Sequence, residues 1–100
     1  MKYIITESKL DRVVIKYLNK EYGDLKEYKP VDSHGVYYVK DKKVYMEHYL
    51  NGKILYIDNS IWGDLKNIFN IEYDEIQRII KKWASETYKI YGVKPLPILD

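Results

Sequence analysis

The sequence predicts an α+β fold of order α-β-β-β-α-α: an N-terminal helix, a three-stranded antiparallel meander, then one short and one long C-terminal helix. Three observations lead there. Apolar residues recur every three or four positions toward both ends of the chain, the spacing that gives a helix one buried stripe. Between them, residues 36–58 are rich in β-branched and aromatic side chains, which favour strands. Asn51-Gly52 interrupts that stretch, and Asn-Gly is the strongest short hairpin signal because a type I′ turn needs positive φ at both central residues.

The first helix is expected over about residues 7–22. Thr6 is placed to cap it, Ile5 and Leu10 stand at the positions of a hydrophobic staple, and Leu10, Val13, Val14, Tyr17 and Leu18 form its stripe. Gly23 is placed to end it in the left-handed conformation. Residues 24–35, with Pro30, Asp32, Ser33 and Gly35, lack a clean period and read as a loop.

Strands follow at Val36–Lys40, Val44–Leu50 and Lys53–Asp58. Ser60 is expected to cap a short helix from Ile61 to Phe69, with Leu65, Ile68 and Phe69 on one side. The long helix, from about Tyr73 to Tyr91, carries Ile76, Ile79, Ile80, Trp83, Thr87 and Tyr91; Gly92 would stop it and Pro95 prevents a restart. Residues 1–92 thus read as a single domain and 93–100 as an extended tail. Pro95 and Pro97 in that tail remove amide donors from one edge only, leaving the other able to pair.

Composition narrows function by exclusion. At 100 residues, 46% hydrophobic and 32% charged, the chain has the balance of one folded domain rather than a disordered segment. With Cys 0, disulfides, thiolate zinc sites and thiol nucleophiles fall away together. The N-terminal residues lack the long apolar segment of a signal peptide, so a cytoplasmic location is expected. Lys and Arg total 17 against 15 acids with the signs interleaved, so no segment carries the basic excess that advertises phosphate binding. Lysine, isoleucine and tyrosine dominate, as in proteins of AT-rich genomes.

No catalytic or metal constellation emerges. Glu47 and His48 are neighbours on one strand and point to opposite faces, so they cannot act together directly. Asp32-Ser33-His34 holds the residue types of a hydrolase triad, but in sequence these are turn formers. His34, His48, Asp32 and Glu47 lack paired ligand spacing, and no glycine falls into a phosphate-loop pattern. Glu72, Asp74 and Glu75 suit the start of a helix; Arg78, Lys81 and Lys82 read as its solvated face. No cofactor and no enzyme activity are expected.

Strand alternation supplies a surface instead. Val44, Met46, His48 and Leu50 share one face of the second strand, expected to be core, with His48 hydrogen-bonded within it. Tyr45, Glu47 and Tyr49 share the other. In the first strand Tyr37 and Val39 alternate with Val36, Tyr38 and Lys40; in the third Leu55 and Ile57 alternate with Ile54, Tyr56 and Asp58. Register is not readable from sequence, so which of these join the tyrosine face stays open.

Two resemblances accompany this reading. The order helix, three strands, helix resembles double-stranded-RNA-binding domains in topology, but where such domains carry a lysine cluster this chain reads Ser60-Ile61-Trp62-Gly63-Asp64. The opening Met1-Lys2-Tyr3-Ile4-Ile5-Thr6-Glu7-Ser8 and the blocks Ile61-Trp62-Gly63-Asp64-Leu65, Tyr73-Asp74-Glu75-Ile76-Gln77 and Lys82-Trp83 resemble small proteins of tailed phages and marine metagenomes. That likeness implies an origin and brings no activity.

The leading functional reading is a small non-enzymatic protein-interaction protein, with an accessory, regulatory or assembly role. It would bind another protein, or itself, through the tyrosine face or the tail, with Tyr38, Tyr45, Tyr49, Tyr56, Leu96 and Ile98 as candidate contacts. Trp62 and Trp83 are further candidates for self-association. The alternative is nucleic-acid binding, with tyrosines as stacking platforms and Lys40, Lys42, Lys43 and Lys53 near the hairpins as phosphate contacts. No membrane partner is expected.

Overall fold

Val14, Leu18 and Tyr22 stand four residues apart. In the computed structural model, which describes residues 7–31, 34–49 and 53–98, they form the buried stripe of the first helix, α1 (Glu7–Tyr22). Its bounds agree with the expected 7–22, although the buried side is centred one position away from Val13, which is 55% exposed. Thr6, Ile5, Asp32, Ser33, Leu50 and Asn51-Gly52 lie outside the described residues. Gly23 is not left-handed; it is required because a Cβ there would sit 2.3 Å from the Asn19 carbonyl oxygen.

The sheet has five strands, not three. After α1 come β1 (Lys26–Tyr28), β2 (Gly35–Lys40), β3 (Lys43–Tyr49) and β4 (Ile54–Ile57), then α2 (Asn59–Phe69), α3 (Tyr73–Tyr88) and β5 (Lys94–Pro97). Spatial order follows chain order, β1-β2-β3-β4-β5. The first four strands are antiparallel, and β5 joins β4 in parallel, as a crossover through two helices permits.

The two added strands lie where local signals are weakest. β1 falls inside the expected loop; its three residues are exposed and gain their conformation only by pairing with Tyr37–Val39. β5 falls inside the expected tail. The Lys94 and Ile98 amides donate to the Lys53 and Ile57 carbonyls at 2.9 and 3.0 Å. Pro95 and Pro97 occupy the alternate positions, whose backbone faces outward, and Gln77 Nε2 donates to the Pro95 carbonyl at 2.7 Å. A short charged edge on one side and a proline edge on the other discourage further strand addition.

All three helices pack on one side of this sheet. Val36 and Tyr38, Met46, and Leu55 and Ile57 meet Val14 and Leu18 of α1, Ile61, Trp62 and Leu65 of α2, and Ile76, Ile79, Ile80, Trp83 and Ala84 of α3 in one buried cluster. Each large apolar side chain buried there contributes about 2 kcal/mol of transfer free energy. Trp83 and Trp62 are therefore core, at 0% and 8% exposure, rather than contact surface. Their indole nitrogens donate to Asn19 Oδ1 and the Ile57 carbonyl at 2.9 and 3.0 Å.

Helix ends also differ from expectation. Asp58, not Ser60, caps α2, its carboxylate accepting the Ser60 amide at 3.0 Å. α3 stops at Tyr88 rather than Tyr91, because Lys89 turns left-handed at φ 59°. The early stop turns Ile90 and Val93 back into the core and leaves Tyr91 exposed. Tyr88 fastens this end: its hydroxyl accepts the Leu25 amide at 3.1 Å and donates to the Tyr22 carbonyl.

Gly63 lies inside α2, and a Cβ on it would meet nothing within 4 Å. Glycine in a helix interior costs conformational entropy without return, so Gly63→Ala is expected to raise stability by about 0.5–1 kcal/mol. A urea midpoint that rises at constant slope would show it; an unchanged or lower midpoint would mean that the added methyl group clashes.

Candidate functional site

With the helices on one side, the other face of the sheet is built from residues of opposite parity. Cross-strand pairing sets Tyr28 opposite Tyr37, Tyr37 opposite Glu47, Glu47 opposite Tyr56 and Tyr56 opposite Leu96, one row across five strands. A second row runs Gly35, Tyr49, Ile54, Lys94. Gly35 has a packing reason to be small: a Cβ there would lie 3.4 Å from the Tyr49 ring, which covers it.

A bulge decides which side chains reach this face. Tyr38 pairs with Met46 but Val39 with Val44, so Tyr45 is the extra residue of β3. A bulged residue and its successor project to the same side, and Tyr45 accordingly turns toward the helices. There its ring lies 5.4 Å from that of Tyr22 and under the Lys43 ammonium. The expected grouping of Tyr45 with Glu47 and Tyr49 is thereby corrected, and Val44 moves to the helix-free face. Tyr38 is buried beneath α3, 5.1 Å from the Tyr88 ring, and burial pushes its phenol up to about 12. Tyr49, Tyr56, Leu96 and Ile98 do share the open face, joined by Tyr28, Tyr37, Val39 and Ile54. Tyr37 was within reach of strand alternation; Tyr28 carried no signal, since its strand exists only through pairing.

Glu47, Tyr49, Ile54, Tyr56 and Ile98 enclose an open hollow of about 350 Å³. The Tyr49 and Tyr56 rings stand edge to face at 5.5 Å. Tyr49 donates its hydroxyl to Glu47 Oε1 at 2.7 Å, and this bond, with burial, holds the Tyr49 phenol above the usual tyrosine range. Glu47 is half-buried and has no cationic partner among the described residues.

The hairpin lysines do not converge. Lys40 pairs with Asp24 at 3.1 Å and Lys43 with Asp58 at 3.3 Å, both on the helix side. Lys42 and Lys53 are exposed at opposite ends of the sheet, separated by the length of β3, roughly 20 Å. Glu47 and His48 do project to opposite faces; burial depresses the His48 imidazole, for which no side-chain hydrogen bond is found among the described residues. Among the described residues no group of acids and histidines is arranged to hold a metal ion, and no helix is long and apolar enough to cross a membrane.

On the opposite side, Arg78 and Lys82 are not a free solvated face. Arg78 makes a two-pronged contact of 2.9 and 2.8 Å with Asp11 of α1, which is 4% exposed, and Lys82 approaches the same carboxylate at 3.5 Å. A second hollow, about 390 Å³, lies between α2 and α3 beside the stacked rings of Trp62 and Tyr73, with Gly63 and Lys66 on its wall. Compared with known proteins, the chain matches no family model, no curated protein and no solved structure.

Proposed function

We propose that this chain is a protein-docking module whose helix-free sheet face receives a different protein. One observation carries the reading: a five-stranded sheet with every helix on one side leaves tyrosine, valine, isoleucine and leucine side chains together on the other. Tyrosine suits such a surface because it offers large rigid area with a polar tip.

Magnitude refines the reading. Strand spacing and length give the face roughly 400 Å² in projection, below the ~800 Å² per partner of a standard stable interface. A transient contact with one strong anchor fits that area. A second copy of this chain fits poorly: a two-fold axis through the middle of the face would set Glu47 against its own copy. Nucleic acid fits poorly for the related reason that Glu47 repels phosphate while Lys40 and Lys43 are already paired.

Photoreactive benzoylphenylalanine in place of Tyr37 or Tyr56, in the cells that make the protein, is expected to give discrete heterologous adducts. The same group in place of Val13, on the exposed side of α1, is expected to give none. Adducts of equal yield from both positions, or only self-adducts from the sheet face, would overturn the reading.

A further inference from the structure

We infer that the hollow formed by Glu47, Tyr49, Tyr56, Ile54 and Ile98 receives an arginine side chain of the partner. This rests on the docking reading above and names the anchor that so small a face requires.

Three features of the hollow select a guanidinium. Among the described residues that line it, the charged group is the Glu47 carboxylate, half-buried in the middle of an otherwise uncharged row between Tyr37 and Tyr56. The lysines of this face, Lys26 and Lys94, stand on the edge strands β1 and β5, two strands or about 10 Å away at ordinary strand spacing. A half-buried carboxylate without a cation is costly, and a partner cation that supplies one gains accordingly. Tyr49 holds one oxygen, Oε1, in place and leaves Oε2 for a second donor, so the acceptor is oriented before anything binds.

The walls add the second feature. Tyr49 and Tyr56 meet at right angles, 85° between planes, so one ring offers its face and the other its edge to whatever enters. A cation is attracted to a tyrosine face, and arginine more than lysine, because its planar, weakly hydrated guanidinium stacks while its nitrogens still reach a carboxylate. Ile54 and Ile98 complete the hollow with apolar surface that matches the methylene stem of arginine. Third, the open volume of about 350 Å³ is ample for an arginine side chain.

The test uses the full chain and acetyl-arginine-amide as probe, titrated into the ¹⁵N-labelled protein to tens of millimolar. Saturable amide shifts are expected at Glu47, Tyr49, Ile54, Tyr56 and Ile98, and not at the α1 residues. Acetyl-citrulline-amide, with the same shape and no charge, is expected to produce less than a fifth of the shift. Glu47→Gln is expected to weaken binding at least five-fold while the rest of its spectrum stays superimposable. Absence of localised shifts, equal shifts with the lysine or citrulline analogue, or undiminished binding by Glu47→Gln would overturn the inference. If photo-adducts still form from the sheet face in that case, the docking reading stands and only the arginine anchor falls; if neither appears, both fall.

Discussion

Replacing Asp11 with alanine is expected to destabilise the protein by about 1–2 kcal/mol at neutral pH, less than for a fully buried ion pair because Arg78 is 36% exposed and water screens it. The reason is asymmetric. Asp11 is 4% exposed on α1 and accepts both Arg78 nitrogens from α3, with Lys82 at 3.5 Å. Its loss leaves the guanidinium facing a polar gap with only Glu75 at 2.8 Å, and Arg78 Nε is already buried without a hydrogen-bond partner. The Arg78 hydrogen bonds, against an opposing desolvation cost, hold the Asp11 carboxyl below the usual aspartate range. A carboxyl depressed in the folded state stabilises above its unfolded value, about 4, and that contribution is lost as pH falls through the folded value. Urea unfolding of wild type and Asp11→Ala should therefore differ most above pH 5 and converge toward pH 2. A constant difference across that range would mean that packing, not charge, links α1 to α3. In a double-mutant cycle with Arg78→Ala, a coupling energy near zero would likewise refute the pair.

A chain ending at Gly92 is expected to lose about 4 kcal/mol, from the burial of Val93 and Pro95 that it forgoes, and to aggregate at concentrations where the full chain stays in solution. Without β5 the outward backbone of β4 becomes a bare edge whose Lys53 and Ile57 carbonyls lose their donors, and such an edge templates association. Mass from light scattering should be monomeric for the full chain and polydisperse for the truncated one. A truncated chain that stays monomeric with an unchanged thermal midpoint would show that β5 contributes little to the sheet.

Helix positions were legible in the sequence because their cause is local. The stripe Val14-Leu18-Tyr22 and the stripe Ile76-Ile79-Ile80-Trp83 follow from a period of 3.6 residues, and the first helix runs Glu7–Tyr22 as that spacing requires. The three central strands were legible for the same reason, since β-branched and aromatic content and turn residues act within a few positions. Even the proline parity of residues 95 and 97 was readable: it left one edge able to pair, and that edge pairs.

What the tertiary structure alone decided depends on distant partners. β1 has no propensity of its own and forms because β2 offers an edge; β5 forms because two helices return the chain beside β4. The bulge at Tyr45 shifts parity by one residue, which sends Tyr45 to the helices and Val44 to the open face. Strict alternation cannot foresee such a shift, because a bulge is set by how β2 and β3 twist against each other rather than by either strand alone. The tyrosine row and its central Glu47 are therefore a product of register: each side chain was visible in the chain, but their neighbourhood is a property of strands separated by turns and by two helices.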